Sequence, residues 1–532
     1  MNNPDVVIIG SGMAGVSVSF PLVKAGLKVC MVDIGKNKDY KDFPKQSMYY
    51  HRKNNIEYWD HILGKGFEGV SGNANETPKM KVPQHKYVRS GFLKGYNIKP
   101  LKINPTGSLA MGGLSNMWGA GLFPYIDQDL EGSVLKYKDL LQSYKDIAKR
   151  IGISGSNDCL KEIFGEDIPL MDAIPLHHNS QYLLENYLSR KNTSDSSFIL
   201  GYNRNAVISA DHDGRKACSL DNSCLWHCNN DSIYNARFDL KKLMNYENFE
   251  YKADVFVKEL KKNGSGYNII SSNNSREIKL FSKRICLAAG TIGSTVIALR
   301  SLKLFDAKQK VVCHPAYAFP LFFPKRIASS VSEKNFSLGQ LAYNIRFGKN
   351  EDAFGILFSS EGILSSDIAN YMPSTKPTST LVAKMINPAI LLANCYLHGK
   401  YSDCSILLKS GNSKSDVLIT GDYADGFLRA KKLSYNVLKK YFRKYGAYTI
   451  PGSLKISNLG SDGHFVGSIP MMNGKSKSND LTSDINGQIN GLDGVYAVDG
   501  SSIPVLPPKH PSYAIMANAD RIGQNIVSEL KL

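Results

Sequence analysis

Residues 4–35, PDVVIIGSGMAGVSVSFPLVKAGLKVCMVDIG, decide the fold. Val6-Val7-Ile8-Ile9 is a short apolar, β-branched run that reads as a strand. Gly10, Gly12 and Gly15 follow as G-x-G-x-x-G, and Met13 to Lys24 carries the small and apolar residues of a helix packed on a sheet. In this pattern Gly10 permits the tight turn, Gly12 lets a pyrophosphate approach the backbone, and Gly15 lets helix and strand pack closely. The helix start offers free N–H groups and the positive end of its dipole to a diphosphate. A second strand, Lys28 to Val32, ends in Asp33, where an acid accepts hydrogen bonds from a ribose 2′-OH and disfavours a 2′-phosphate. A plain glycine turn would explain the glycines alone. Strand before, helix after and acid at the next strand's end read together as a dinucleotide-binding βαβ unit, with NAD and FAD both open and NADP disfavoured.

The far end of the chain carries the complementary signal. Between Gly463 and Arg521, His464 and His510 flank an apolar strand that ends in Asp499-Gly500. A chain whose two ends each hold half of one site reads as a redox enzyme built around a dinucleotide. Between them, TGSLAMGGLSNMWGAGLFPY at 106–125 is dense in glycine, which brings backbone against something flat or charged. Phe249 to Leu260 reads as a strand, paired through a turn at Asn263-Gly264 with Tyr267 to Ile270. Arg284 to Ser294 runs from a strand through a glycine turn, Ala289-Gly290, into a helix, a second phosphate-side turn. From about Phe305 to Gly446 the texture changes. Strands such as Ile390 to Tyr396 and Ser405 to Lys409, joined at His398-Gly399-Lys400, read as an antiparallel sheet of a substrate domain.

Size and charge set further bounds. At 532 residues, 42% hydrophobic and 21% charged, the chain reads as a folded protein of two closely packed domains. The formal net charge of +18 calls for an anionic partner or surface, whether cofactor, phosphorylated substrate, acidic glycan or anionic membrane. No nucleic-acid motif accompanies it. The densest basic stretch, Asp425 to Tyr445, interleaves aromatics at helical spacing and ends at Gly446; it reads as a core-packed helix with a solvated basic face, with membrane-surface docking as the alternative. No run reaches the roughly 18 apolar residues of a membrane span; Met385 to Leu397 comes nearest and is interrupted by Asn387, Pro388 and Asn394. With no leader read at its start, the chain is expected to be cytoplasmic or peripheral to a membrane. Nine cysteines, an odd number, suit a reducing compartment. Cys218, Cys224, His227 and Cys228 form a cluster of C-x5-C-x3-C spacing, read as a structural loop with free thiols; metal binding is the alternative, and no metal site is predicted.

The motifs, taken in order, resemble those of the glucose-methanol-choline (GMC) family of FAD-dependent oxidoreductases. They are GSGMAG with Asp33, GGLSNMWG at 112–119, AAGTIGS at 288–294, GHFVGS at 463–468, and VDGSSIP with KHPSYAIMANADRI at the C-terminal end. The resemblance implies an α/β protein. A Rossmann-like FAD-binding domain would be assembled from residues 1–60, 96–135, 205–304 and 450–532, and an α+β substrate-binding domain with an antiparallel sheet from 61–95, 136–204 and 305–449. It implies FAD rather than NAD, and oxidation of a CH–OH group by hydride transfer to flavin N5. Gly10, Gly12, Gly15 and Asp33 would hold the ADP half; Gly112, Gly113 and Asn116 would line pyrophosphate and flavin; Val257 would meet the adenine. Ala289 and Gly290 would form the second cofactor turn, Asp499 and Gly500 would lie near the ribityl-diphosphate junction, and Pro511 and Ser512 beside the flavin's pyrimidine edge. His464 matches the catalytic base and His510 the second active-site position.

Elementary chemistry asks for the same groups. Hydride can leave a carbinol carbon only if the hydroxyl proton leaves too, and an imidazole has a suitable basicity to take it at neutral pH. A second imidazole on the same oxygen would orient the C–H bond. Pro511 suits a helix start, and Ile515, Ala519, Ile522 and Ile526 continue as a helical stripe whose N-terminus would face the flavin. Where some sugar-oxidising relatives carry a histidine that tethers the flavin, Met117 precedes Trp118 here, so FAD is expected to be noncovalent. The expected substrate is a small-molecule alcohol, a sugar or glycan by the G-G-x-S-x-x-W form of the motif. The alternatives are a sterol or other apolar alcohol at a membrane, and a flavin-binding protein without turnover. The electron acceptor is open among oxygen, quinone and a protein.

Overall fold

The computed structural model describes residues 4–37, 45–54, 59–66, 69, 78–165, 168–191, 196–272, 280–363, 368–369, 372, 374–411, 416–474 and 480–531. Its nucleus is a five-stranded parallel sheet in the order 495–497, 285–287, β1 (Val6–Ile9), β2 (Val29–Val32) and 249–252. β1 and β2 are buried at every position, as a parallel sheet covered on both faces requires. Helix α1 (Met13–Lys24) crosses between them, and its Ala14 to Phe20 are buried. The C-terminal helix, Ser512–Lys531, lies against α1. Gly523 permits the approach, because a Cβ there would sit 2.6 Å from Pro21 Cγ and 2.7 Å from the Val18 carbonyl oxygen. The two ends of the chain are therefore joined by direct helix packing, with Ala519, Ile522 and Ile526 fully buried as the sequence stripe predicts.

Among the described residues there are three further sheets. The 256–263, 266–272 and 280–282 strands form an antiparallel meander, and the expected turn is present, with Gly264 at φ +57°. The single strand expected from Phe249 to Leu260 is in fact two. Asp254, in the left-handed region at φ +59°, breaks it, sending 249–252 into the parallel sheet and 256–263 into the meander.

The region expected to form one antiparallel sheet divides between two. A seven-stranded sheet takes 316–322, 390–397, 351–359, 339–348 and 198–202 in that order, with the short 448–449 and 455–456 strands on its edge. A mixed five-stranded sheet takes 465–466, 309–313, 402–408, 417–423 and 98–101. His398-Gly399-Lys400 consequently does not close a hairpin between 390–397 and 402–408; it carries the chain from one sheet to the other. Gly399 explains why: its N–H donates to the Leu506 carbonyl at 2.8 Å and its missing Cβ would lie 2.3 Å from Val312 Cγ1, so the chain is drawn onto the 309–313 strand. The basic stretch forms the helix Phe427–Lys444 with Phe427, Ala430, Leu438, Tyr441 and Phe442 buried against the seven-stranded sheet. It ends in a Schellman cap at Gly446, φ +85°, with Gly446 N–H to Arg443 O and Ala447 N–H to Phe442 O. Among the described residues no helix is long and apolar enough to cross a membrane.

Candidate active site

The three glycines after β1 do different work. Gly10 has φ +108°, and a Cβ there would lie 2.3 Å from the Ala288 carbonyl oxygen on the adjacent strand. At Gly15 a Cβ would meet the Gly10 carbonyl oxygen at 2.0 Å, which fixes helix against turn. Gly12 has open space where its Cβ would be and is the N-cap of α1 with no side-chain cap, so the first-turn N–H groups face a cleft. Ser11 connects this turn to its neighbours: its N–H and hydroxyl donate to Asp33 Oδ2, and its Oγ accepts from the Gly112 N–H at 2.9 Å. Burial pushes the Asp33 carboxyl up to about 6, against the Ser11 donors that favour its charge.

The glycine-dense segment packs onto that turn. Gly112 and Gly113, at φ +82° and +62°, lead into a short 3-10 turn, and a Cβ on Gly113 would touch Gly12 Cα at 3.3 Å. Asn116 braces the turn from behind: its Nδ2 donates to the Met111 and Gly113 carbonyls at 2.9 and 2.7 Å, and its Oδ1 accepts from Asn235 at 3.0 Å. Gly290, φ +78°, is the N-cap of the Thr291–Leu302 helix, again with no side-chain cap and open space above it. Asp499 is buried, and burial raises its carboxyl despite donors from Ser294 and Ser501. At Gly500 a Cβ would lie 2.5 Å from Thr291 Oγ1, so only glycine fits.

One cleft is lined by Gly10, Gly12, Asp33, Gly113, Val257, Ala289, Gly290, His464, Asp499, Gly500, Pro511 and Ser512. The structure thus brings the two chain ends to one cavity. It does not bring every expected residue to the wall. Gly15 and Gly112 lie beneath it as packing positions, Asn116 faces a smaller neighbouring pocket, and His510 adjoins the wall through His464, with ring centroids 4.5 Å apart. For the two glycines and Asn116 the reason is the same: a motif residue can shape a turn without touching what the turn holds.

The histidines form a network that includes two residues not anticipated. His464 and His510 have ring centroids 4.5 Å apart. His464 Nδ1 lies 3.0 Å from Nδ1 of His314, whose Nε2 is 2.7 Å from the Pro507 carbonyl oxygen. A carbonyl can only accept, so His314 carries its proton on Nε2 and presents a lone pair at Nδ1. His314 is held neutral: burial and the neighbouring His464 lower it to about 3. Neutral His464 must then donate from Nδ1, which leaves its Nε2 as the basic atom. Asp462 completes the set. Its Oδ1 accepts from the His464 backbone N–H at 3.1 Å and its Oδ2 stands 3.2 Å from His464 Nδ1. Burial works to raise the Asp462 carboxyl, yet the adjacent His464 ring and the hydrogen bonds from His464 hold it below the usual carboxylate range.

His510 is buried among Tyr396, Phe123 and Phe354, with ring centroids at 4.8, 5.3 and 6.5 Å. Burial and the two other imidazoles hold it neutral, and its buried Nε2 makes no hydrogen bond. The preceding Lys509 is also buried and pairs with Asp129 at 2.5 Å. His314 and Asp462 each had a faint signal: His314-Pro315 repeats the His510-Pro511 dipeptide, and Asp462 lies two residues before His464. Neither could be paired with its partner without the fold.

The cysteine cluster lies beside the smaller pocket, next to half-buried Lys79, whose amine donates to the Trp118 carbonyl. Burial pushes the Cys218 thiol up to about 12 and raises Cys224 and Cys228, while it lowers Lys79 to about 8. Among the described residues, the group of metal-capable side chains that converges within 4.8 Å is His314, Asp462 and His464, not the cysteines.

No family model and no curated protein matches the chain. Among solved structures it is similar to pyridoxine 4-oxidase from Mesorbium loti, with a TM-score of 0.61 over 98% of this chain and 99% of that one, at 15% sequence identity. The likeness is one of fold along the whole length.

Proposed function

We propose that the chain is a GMC-type, FAD-dependent oxidoreductase that oxidises an alcohol, with a sugar or glycan hydroxyl as the substrate group. One observation carries the reading. A cleft that begins at the uncapped helix start of a dinucleotide βαβ unit ends at a histidine whose tautomer is set to leave Nε2 basic. The residues present fit FAD. Gly12 and Gly290 leave open space over two uncapped helix N-termini, suited to a diphosphate, and Asp33 stands at the strand end where a ribose would lie. Bound there, FAD would supply the hydride acceptor. A shared fold with an enzyme named as an oxidase supports the same class.

The chain's own residues would manage the proton. His464 Nε2 accepts it from the substrate hydroxyl, and the positive charge that forms on the ring is met by the Asp462 carboxylate 3.2 Å from Nδ1. His314 fixes the ring's tautomer and angle through the Nδ1 contact. His510, neutral and with an unpartnered Nε2, is suited to hydrogen-bond the same oxygen. The aromatic walls of Phe123, Phe354 and Tyr396 around it exclude water. The test is anaerobic incubation of the yellow protein with a panel of sugars and other alcohols. Wild type should bleach with at least one, and His464→Ala should keep its flavin yet bleach more slowly by about 10²–10⁴-fold, the usual contribution of a general base. Equal rates would remove His464 from this role; a protein that binds flavin and bleaches with no alcohol would favour a binding function.

A further inference from the structure

The helix Lys376–Ile386 turns its large side chains away from the protein. Its buried positions are the small residues Ser379 and Ala383, while Leu381, Val382 and Met385 are 61%, 38% and 44% exposed. A helix that packs on a core does the reverse. Ile327, itself exposed, adjoins it, because the Ala328 N–H donates to the Met385 carbonyl at 2.9 Å. Two part-exposed tyrosines stand at the same end of the seven-stranded sheet: Tyr448 pairs with Phe322, and Tyr182 meets Phe323 edge-on at 6.2 Å. The rim is basic, with exposed Lys325, Lys376 and Lys384, and neither 316–332 nor 374–390 contains an acidic residue.

We propose that this end of the molecule docks on an anionic lipid bilayer. Leu381, Val382, Met385 and Ile327 would enter the headgroup boundary, the tyrosines would sit at its level, and the lysines would face lipid phosphates. Charge decides between this occupant and a second copy of the chain. In a twofold dimer each basic rim would face its own image, on molecules already at +18, whereas an anionic surface complements both the rim and the net charge. The site also differs from the one that basic composition suggests. The Phe427–Lys444 helix has more lysines and arginines, but its aromatic face is spent on the sheet beneath it.

The test is co-sedimentation of the full-length protein with vesicles of phosphatidylcholine alone or with one-third phosphatidylserine. Wild type should pellet with the anionic vesicles and be released as salt rises. The triple variant Leu381→Ser, Val382→Ser, Met385→Ser should bind at least tenfold more weakly with an unchanged melting temperature, since these side chains contribute little to the core. Lys325→Glu with Lys384→Glu should lose the preference for phosphatidylserine, and Lys432→Glu with Lys439→Glu should bind as wild type. Equal binding by the triple variant would overturn the proposal. So would a wild type that ignores both vesicles, or a dimer in solution that the triple variant converts to monomer without any vesicle binding.

Discussion

Asp462→Asn isolates what the buried carboxylate does for His464. The substitution keeps the shape and keeps an oxygen for the His464 backbone N–H, now accepted by Oδ1 at 3.1 Å. What it removes is a negative charge 3.2 Å from Nδ1. A hydrogen bond between charged groups is worth about 1.5–3 kcal/mol, which the protonated ring would lose. Taking about 2 kcal/mol, the proton-accepting step slows roughly thirtyfold, since about 1.4 kcal/mol is a factor of ten. An amide NH₂ turned toward Nδ1 would add to this by favouring the tautomer with its proton on Nε2. The assay is the anaerobic bleaching rate at pH 7 with an alcohol that bleaches wild type, read in stopped flow beside flavin content and melting temperature. The expected result is a slow variant with full flavin and near-native stability. A rate within twofold of wild type would refute the argument that Asp462 stabilises the charged ring.

Gly15→Ala should destabilise the protein by at least about 2 kcal/mol, because its methyl would press on the Gly10 carbonyl at 2.0 Å. Gly12→Ala, with open space at that point, should leave apoprotein melting unchanged and instead weaken flavin retention on gel filtration. Lys509→Met leaves Asp129 buried without its partner and should cost about 3–5 kcal/mol in denaturant unfolding; adding Asp129→Leu should recover most of it. His398 is lowered to about 4 by burial and Lys400, so from about pH 6.5 down to 4 the unfolded chain binds a proton at this residue that the folded chain does not. Its contribution therefore falls as pH falls, and His398→Gln should gain about 2–3 kcal/mol relative to wild type between pH 7 and pH 4; parallel stability profiles would contradict this.

Legibility followed the range of the interaction. The βαβ unit, the Asn263-Gly264 turn and the capped basic helix depend on neighbours within a few residues, and local pattern was enough. The break at Asp254 was hidden because its residues alternate acceptably as one long strand, and only the pull of two different sheets divides them. The transfer of the chain at Gly399 was hidden for a like reason: its partners, Leu506 and Val312, are distant in sequence. In the cleft, Gly10, Gly12 and Asp33 were legible as a motif, whereas Gly112 and Asn116 carry the same motif logic but brace the turn from outside.

From the order of residues alone came the strand–turn–helix–strand form of the N-terminal unit and the apolar stripe of the C-terminal helix. Spacing and residue type determine these because hydrogen-bonding geometry and helical periodicity are local. Only the folded chain decided which nitrogen of His464 is basic. That assignment rests on a carbonyl at Pro507 orienting an imidazole at 314, which orients another at 464. Hydrogen bonds between buried groups are set by packing across sheets, and no pattern along the chain encodes them.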